Sequence, residues 1–403
     1  MSLLTNTTLN IAGALGSGGA AGAAPAPQTT ATQTLLASML QTSTKISDLF
    51  FSPGRPPLVE VNGRLLPGVS DGQRALTVDD TRRIASDLIG NNQHAAGLLR
   101  EQGSCDVSYS LPGVCRFRVN IFIQRGSCAI VMRVIPGKIP DFVALNLPAE
   151  LKEVVHLRNG IVLVTGPTGS GKSSTLAAII DKINREQSYH ILTIEDPIEF
   201  LHLHQSCIIH QRELHNDTTS FALALRAALR QAPKVILVGE MRDKETIEIA
   251  MEAAETGHLV LSTLHTIDAS KTVERIVGVF PLAEQDTLRN RLAKSFRYIV
   301  SQRLIPRKDG SGRVAAVEIL KSTLRTREYV EKGEGEGKTL LDAMRVGTTE
   351  GMQHFDGEIE RLIREGVIDY EVGMAYATNP GNLRLELADF VAAQELETAV
   401  ANQ

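Results

Sequence analysis

The chain has 403 residues, 43% of them hydrophobic and 22% charged, with a formal net charge of −4 and no Trp. This length allows two or three domains, and the acidic balance with few aromatic residues argues against a general nucleic-acid binder. Four cysteines form no C-x-x-C pair, and no apolar run reaches the roughly 18 residues of a membrane span, so we expect a cytoplasmic protein with reduced thiols and no transmembrane segment.

The first third of the chain predicts a leader followed by a small domain. Residues 1–33 are rich in Ala, Gly, Pro and Thr without charge or periodicity, and we expect them to be disordered. A short amphipathic helix is predicted from residue 34, and a helix covers 77–89. The predicted strands are 47–51, 58–61, 106–110, 116–122 and 128–134, with an Asn-Gly hairpin turn after the second. Residues 34–140 are therefore predicted to form an α+β domain.

From residue 141 to 322 the pattern changes to strands that alternate with helices, which predicts a parallel sheet covered on both faces. The predicted strands are 161–164, 190–194, 235–238 and 259–263, with 298–302 and 314–319 closing the sheet. Residues 323–403 are predicted to be a helical C-terminal region. The fold class is therefore predicted to be α/β.

The strongest motif is a glycine-rich loop between a predicted strand and a predicted helix. The loop matches G-x-x-x-x-G-K-S, whose backbone N–H groups wrap phosphate oxygens at φ/ψ values that a Cβ would forbid. Lys172 is expected to reach the β/γ-phosphates, and the Ser173 hydroxyl to bind Mg²⁺. The chain is therefore predicted to bind a nucleoside triphosphate. The predicted nucleotide-binding residues are Gly166, Pro167, Thr168, Gly169, Ser170, Gly171, Lys172, Ser173 and Ser174.

Carboxylates follow two of the other predicted strands. Glu240 stands where the Mg²⁺-side acid of a P-loop enzyme belongs, with a solvated glutamate as the alternative. Glu195, Asp196 and Glu199 follow the strand at 190–194. One of the three can polarise the attacking water while another supports the metal shell, but the residues alone do not rank them. A solvated acidic turn remains the alternative for this group.

Histidines and arginines supply further candidates. His258 and His265 stand at the two ends of one predicted strand, although such histidines are more often ordinary hydrogen-bonded residues. Arg116 and Arg118 share one strand face, and Arg133 lies on the next strand. Such arginines can complete the site of a neighbouring subunit, although a solvated sheet face explains the spacing as well.

A second group of histidines resembles a metal site by composition alone. Its spacings match no common zinc pattern, and the segment is interpreted as a connection between the acidic cluster and a helix. The group comprises His202, His204, Cys207, His210 and His215.

Four sequence boxes together resemble the secretion-superfamily ATPases, and within them the twitching-motility (pilus retraction) ATPases of the PilT/PilU type. They are the P-loop at 166–173, an Asp box at 190–200, a Walker B box at 236–243 and a His box at 254–266. Residues 47–49 and 116–120 also match the N-terminal domain of that family. The resemblance extends from about residue 35 to the C-terminus.

The resemblance implies a PAS-like N-terminal domain, a RecA-like P-loop domain with a helical C-terminal extension, and a homohexamer with ATP and Mg²⁺ bound between subunits. It implies Glu199 as the catalytic base, Glu195 as its support and Glu240 as the Walker B acid, also near Mg²⁺. His258 and His265 would be the His-box pair, and Arg118 and Arg133 would reach the site. Such a motor retracts type IV pili from the cytoplasmic face of the inner membrane, against an integral pilus platform protein and without binding nucleic acid.

The chain also departs from the retraction pattern. Lys234 stands where the Walker B strand usually begins with an acid, and residues 324–330 replace the usual C-terminal motif. The tail at 351–356 and 379–385 is similar to the accessory PilU branch, which implies a second retraction ATPase as a partner. Two other functions stay open. One is a secretion or pilus assembly ATPase, although those enzymes usually carry a tetracysteine motif that is absent here. The other is a nucleotide-gated regulatory ring subunit.

Overall fold

The computed structural model describes residues 30–69, 74–135 and 137–393. Most of the leader predicted to be disordered, residues 1–29, lies outside the described residues. Helix α1 (Ala31–Leu40) begins before the predicted start at residue 34. Its start is fixed by a capping box, in which the Thr30 hydroxyl accepts from the Gln33 N–H and the Gln33 side chain accepts from the Thr30 N–H.

The N-terminal part of the chain is built on a six-stranded antiparallel sheet with the order β3-β2-β1-β6-β5-β4. The Asn-Gly turn was predicted correctly, since Asn62 and Gly63 adopt φ of 51° and 76° between two paired strands. Helix α3 was not predicted. The elements are β1 (Ile46–Phe51), β2 (Leu58–Val61), β3 (Arg64–Pro67), α2 (Val78–Ile89), α3 (Gln93–Gln102), β4 (Ser104–Leu111), β5 (Cys115–Gln124) and β6 (Ser127–Ile135).

One face of this sheet is buried because apolar side chains alternate along its strands. Phe117, Val119 and Ile121 on β5 are fully buried, and they pack in one cluster with Leu36 of α1 and Ile84 of α2. The side chains between them point to the other face, as the period of a strand requires. Arg116 and Arg118 therefore lie on the face of the sheet that the helices do not cover.

The larger sheet has seven strands in the order β13-β12-β7-β11-β10-β8-β9. Its pairs are parallel apart from β12 with β13. The elements of this region are a 3₁₀ helix (Ala149–His156), β7 (Gly160–Thr165), α4 (Lys172–Glu186), β8 (His190–Glu195), β9 (Ile208–Glu213), α5 (Phe221–Ala228), β10 (Val235–Val238), α6 (Lys244–Glu255), β11 (Leu259–Leu264), α7 (Ala269–Gly278), α8 (Leu282–Ser295), β12 (Phe296–Pro306) and β13 (Arg313–Lys321).

The interpretation of residues around His210 as a mere connection was wrong, because they form β9 at the edge of the sheet. An edge strand has one free side and carries few buried side chains, so its composition is polar: only Ile209 and Glu213 of β9 are buried. The central strands are different, since every residue of β7, β10 and β11 is buried. That burial explains why their apolar runs were recognisable.

Helices follow β13 to the end of the described chain, and they cover one face of β12 and β13. Ile305 and Val314 of these strands pack with Phe355, Ile359 and Leu362. No helix among the described residues is both long and apolar enough to cross a membrane. The elements are α9 (Leu324–Lys332), α10 (Leu340–Val346), a 3₁₀ turn (Thr348–Glu350), α11 (Phe355–Arg364), α12 (Tyr370–Tyr376) and α13 (Pro380–Glu386).

The predicted α/β class is confirmed: an antiparallel α+β unit precedes a mainly parallel sheet, and helices follow it. In parallel sheets the strands end at one edge, where ligands usually bind. Here that edge receives the ends of β7, β8, β10 and β11. The uncovered face of the N-terminal sheet lies opposite it, and the candidate site is the cleft between them.

Candidate active site

The glycine-rich loop connects β7 to α4, and its first glycine cannot be replaced without strain. Gly166 has φ of +142°, and a Cβ there would lie 2.5 Å from the carbonyl oxygen of Gln302 on β12. Only a residue without a Cβ permits this close approach of two backbones. The sequence motif and the packing of β7 against β12 therefore require glycine at the same position.

Helix α4 begins at the cleft, and no side chain caps its first N–H groups. Gly171 is its N-cap in the left-handed region, no side chain caps the first turn, and no acidic residue lies in that turn. A helix start of this kind combines free donors with the positive end of the helix dipole, which together favour an anion. Ser173 and Ser174 lie in this turn and line the cleft.

Lys172 is folded back over the loop and is 8% exposed. Its Nζ donates to the carbonyl oxygens of Gly166 (2.9 Å) and Pro167 (3.1 Å). Burial lowers the pKa of Lys172, while the nearby carboxylates of Glu240 and Glu199 act in the opposite direction. Neutral carbonyl oxygens therefore hold the ammonium group beside the loop. An anionic partner such as a phosphate would bind this group more strongly than they do.

The base of α4 is supported by residues that the sequence did not indicate. Gln302 of β12 is 1% exposed, and its Nε2 donates to the hydroxyl of Thr175 (2.9 Å). Thr165 at the end of β7 donates to Ser301, the neighbour of Gln302 (3.1 Å). These polar side chains have no motif of their own, because only the pairing of β12 with β7 brings Ser301 and Gln302 to the P-loop region.

Glu240 follows β10 and lies close to the side chains of Arg242 and His265. Arg242 Nε is 2.5 Å from Glu240 Oε1, and His265 Nε2 is 3.6 Å from Oε2. The Thr263 hydroxyl donates to the carbonyl oxygen of Gly239 (2.6 Å), which ties the end of β11 to the end of β10. The structure therefore brings together Glu240 and His265, which the sequence analysis named separately, and places Arg242 beside them.

The two glutamates after β8 have different environments. Glu199 is exposed in the cleft, whereas Glu195 accepts hydrogen bonds from the Thr193 hydroxyl (2.6 Å) and the Gln211 amide (3.1 Å). Desolvation raises the pKa of Glu195 to about 7, against these hydrogen bonds and one from the backbone N–H of Glu199. Asp196 is exposed and lines the same cleft. The environments distinguish Glu195 as the internal carboxylate and Glu199 as the one that is free to meet a ligand.

Arg118 and Arg133 are direct neighbours across β5 and β6, and both line the cleft of their own chain. Both arginines therefore lie beside the P-loop of the same molecule, and the hypothesis that they complete the site of a neighbouring subunit stays a prediction. Arg133 Nε also donates to Asp48 (2.9 Å), a buried carboxylate on β1. That ion pair fixes the base of the side chain, which is otherwise 72% exposed.

His258 does not reach this cleft, contrary to the prediction. It precedes β11, and its carbonyl oxygen accepts the N–H of Gly160 at the first residue of β7, whereas the P-loop follows the last. Six residues of strand separate the two ends, roughly 20 Å. The His258 ring instead contacts the carbonyl oxygen of Ala253 (2.9 Å) at the end of α6.

The remaining histidines are hydrogen-bonded or buried separately. His190 Nε2 and His210 Nδ1 are 2.9 Å apart, and His204 accepts a backbone N–H from Ile209 (3.1 Å). Among the described residues no group of three or more potential metal ligands is present. His202 lies instead on the wall of the cleft, where burial lowers its pKa to about 4 and keeps it neutral.

The cleft as a whole has a volume of ≈ 690 Å³, which is within the range of small-molecule sites. Its lining includes the P-loop and the start of α4, the glutamates Glu195, Glu199 and Glu240, and Arg118 and Arg133 of the N-terminal sheet. Positive groups from both sheets and three acids therefore share one cleft. This distribution suits a polyphosphate with a cation.

A family profile described as type II/IV secretion system protein matches residues 107–396. The chain belongs to this family. Among curated members, the type IV pilus retraction ATPase PilT of Pseudomonas aeruginosa is 43% identical over 340 residues, which cover 83% of this chain and 95% of PilT. The type IV pilus ATPase PilU of the same organism is 40% identical over 339 residues, covering 84% and 87%.

A solved structure of the pilus retraction motor PilT with bound ADP superimposes on this type II/IV secretion system protein. The TM-score is 0.77 at 40% sequence identity, with 88% of this chain and 99% of the PilT chain covered. The match therefore includes the N-terminal sheet as well as the P-loop sheet, which is the two-part architecture that the resemblance implied.

Proposed function

We propose that this chain is an ATP-hydrolysing motor for type IV pilus retraction. The proposal depends mainly on the cleft, because a P-loop, three glutamates and two arginines of the N-terminal sheet line the same volume. The near-complete coverage of PilT supports the same function. Closure of such a cleft on ATP, and its opening after hydrolysis, converts chemical energy into movement between the two sheets.

The P-loop amides and Lys172 bind the phosphates of ATP. Glu199 accepts the proton of the attacking water, because it is the exposed carboxylate of its group and faces the cleft. Glu195 supports it from below through the Glu199 backbone N–H. Arg118 and Arg133 offset the negative charge that develops on the transferred phosphoryl group.

The donor set of the cleft fits Mg²⁺. Ser173 and Glu240 offer oxygen ligands beside Lys172, and the few protein ligands are typical of Mg²⁺, which keeps waters and phosphate oxygens in its shell. When bound, the ion neutralises phosphate charge. Glu240 holds it directly or through water, and His265 and Arg242 orient that carboxylate.

The same proposal assigns the parts of the chain and their partners. Residues 34–140 form the PAS-like domain, 141–322 the RecA-like domain and 323–403 the helical C-terminal region, with 1–33 as a leader. Six copies assemble into a ring at the cytoplasmic face of the inner membrane, where they act on the integral pilus platform protein. His258, which lies far from its own cleft, contributes only through such an assembly.

A second candidate is an accessory retraction ATPase that requires a partner ATPase. The observation in its favour is the 40% identity to PilU, which is close to the identity to PilT. Both candidates use the cleft in the same way, and they differ in whether this chain alone supports movement.

Deletion of the gene tests the proposal. Loss of a retraction motor leaves hyperpiliated cells that do not move by twitching, whereas loss of an assembly ATPase leaves bald cells. Complementation with Lys172→Ala or Glu199→Gln should fail, and Glu101→Gln, an exposed substitution in the N-terminal domain, should restore motility. Bald cells after deletion would refute retraction.

The purified chain separates the motor from a nucleotide-gated ring. Lys172→Ala should lose ATP binding, whereas Glu199→Gln should bind ATP and hydrolyse it about 10²-fold more slowly. Normal turnover by Glu199→Gln would move the role of base to another acid. An unmodified protein that binds ATP without hydrolysing it, alone and with the platform protein, would favour the gated ring.

A further inference from the structure

Glu213, the last residue of β9, collects hydrogen bonds from both halves of the molecule. It is 2% exposed, and its Oε2 accepts from Arg116 Nη2 (2.7 Å), the Ser108 hydroxyl (2.8 Å) and the backbone N–H of Ile198 (3.0 Å). The Asn216 amide donates to the other oxygen, Oε1. A single buried carboxylate is thereby fully satisfied.

The donors come from two different parts of the fold. Ser108 on β4 and Arg116 on β5 belong to the N-terminal sheet, on the same face as Arg118. Ile198 belongs to the turn after β8 and is the residue directly before Glu199. Oε2 of Glu213 therefore links the N-terminal sheet to the turn whose next residue is Glu199, the proposed base.

The contact between Arg116 and Glu213 is largely shielded from solvent. The Arg116 side chain is 15% exposed and that of Glu213 is 3% exposed, whereas the Arg82–Asp79 pair of the same domain is 67% and 86% exposed. Exposed pairs of that kind contribute little, but loss of one partner from a buried pair leaves an uncompensated charge. Arg116 and Glu213 are therefore costly to separate.

Other contacts lie beside this pair and hold the same two regions together. The Asn92 amide donates to Asn216 (2.7 Å), and the rings of His94 and His215 are stacked with centroids 4.7 Å apart. All of them join the N-terminal domain to the segment after β9. This segment and the turn of Glu199 meet at Glu213, so a displacement of the N-terminal domain reaches both.

We propose that Arg116 and Glu213 are positioning residues that make the position of Glu199 depend on the position of the N-terminal sheet. The proposal rests on the function proposed above, in which Glu199 is the base. While the Arg116–Glu213 contact is in place, Oε2 holds the Ile198 N–H and the turn that carries Glu199. When the N-terminal sheet moves away, Glu213 loses its cation and the turn loses its fixed anchor. Hydrolysis is thereby confined to the conformation in which Arg118 also faces the cleft.

The test measures kcat and ATP affinity separately in the full-length chain. Arg116→Gln should lower kcat about 10-fold or more, because small displacements of a catalytic group have large effects. The Kd for ATP should stay within about 3-fold, since neither residue contacts the P-loop. Arg116→Lys should recover part of the loss, because it restores the charge with fewer donors. Arg82→Gln is the matched control and should leave both values unchanged.

A double-mutant cycle shows whether Arg116 acts through Glu199. If it does, Arg116→Gln should have little further effect in a Glu199→Gln background, because the group that it positions is already gone. Effects that multiply would overturn the proposal. So would an unchanged kcat in Arg116→Gln, or a lowered melting temperature with normal kcat, which is the result of a purely structural contact.

Failure of the base assignment and failure of the positioning role give different kinetic results. If Glu199→Gln turns over normally, the assignment of the base fails whatever Arg116 does. If Glu199→Gln is slow but Arg116→Gln and Glu213→Gln are not, the proposed function stands and the positioning role fails. If Arg116→Gln does not fold, Ser108→Ala provides the test, because it removes one neutral donor from the same oxygen of Glu213. A lower kcat at unchanged Kd for ATP supports the positioning role, and an unchanged kcat overturns it.

Discussion

Glu195→Gln removes an ionisable group from the inner side of the acidic turn, and the consequence is a change in how the free energy of unfolding depends on pH. Glutamine is nearly isosteric with glutamate, and its carbonyl oxygen can still accept from the Thr193 hydroxyl and the Gln211 amide. It cannot ionise. The variant therefore isolates the cost of an ionised carboxylate at this position from the loss of its hydrogen bonds.

The size of the effect follows from the pKa of Glu195, which desolvation raises from 4.5 to about 7. Between these values the folded chain keeps a proton that the unfolded chain has released. The stabilisation is complete below pH 4.5 and is lost as the pH rises through 7. At about 1.4 kcal/mol for each pKa unit, the free energy of unfolding should fall by about 3 kcal/mol across this range because of Glu195 alone.

Urea denaturation at pH 5 and pH 8 measures this difference. The wild-type protein should lose about 3 kcal/mol more between the two pH values than Glu195→Gln does. Glu318, a buried carboxylate whose pKa desolvation also raises to about 7, is present in both proteins, so its contribution cancels. Glu101→Gln is an exposed control and should retain the wild-type pH dependence.

Equal pH dependence in the wild-type protein and Glu195→Gln would refute the reasoning, because it would mean that Glu195 titrates alike in the folded and unfolded chains. The catalytic comparison is independent of this result. As a support for the turn, Glu195→Gln should lower kcat less than Glu199→Gln does, and the reverse order would exchange the proposed roles of the two glutamates.

Three further substitutions test the cleft and the contacts that support it. Arg133→Ala should lower kcat about 10-fold or more while rings still form by size-exclusion chromatography, and unchanged kcat would remove it from the transition state. Thr175→Val leaves the buried Gln302 amide without an acceptor and should reduce the free energy of unfolding by about 1–3 kcal/mol in urea, whereas Thr175→Ser should not. Gly166→Ala should abolish ATP binding measured by calorimetry, because its Cβ would collide with a β12 carbonyl, and Gly278→Ala, which meets no neighbouring atom, should bind normally.

The sequence predicted the parts of the molecule that have local signals. Buried parallel strands such as β10 are continuous apolar runs, and its predicted bounds, 235–238, agree with the structure. The P-loop has a fixed spacing because its backbone must surround phosphate, so the pattern alone predicted a loop here, and the structure places it between β7 and α4. The Asn-Gly turn was recognised because two successive positive φ values favour those residues.

Contacts between distant segments had no such signal. The spacing of Arg116 and Arg118 along β5 is the same whether they belong to an active site or to a solvated sheet face. Their different contacts depend on how the N-terminal sheet docks: Arg116 pairs with Glu213, whereas Arg118 lines the cleft. His258 and His265 were treated alike because both flank β11, but a strand has two ends and only one is near the P-loop. Strand β9 was missed because edge strands lack the apolar runs by which central strands are recognised.

The C-terminal helices make this protein more sensitive to truncation than to substitution in the same region. Strand β13 ends one edge of the large sheet, and residue Gln353 exchanges two backbone hydrogen bonds with Ile319 on its free side (2.8 and 3.2 Å). A chain that stopped before this contact would expose an unpaired strand beside the apolar face that α11 covers. Such edges associate with other chains and aggregate. The end of the protein therefore tolerates exchange of residues far better than it tolerates shortening, and premature stop codons in this region should yield insoluble protein before they yield an altered motor.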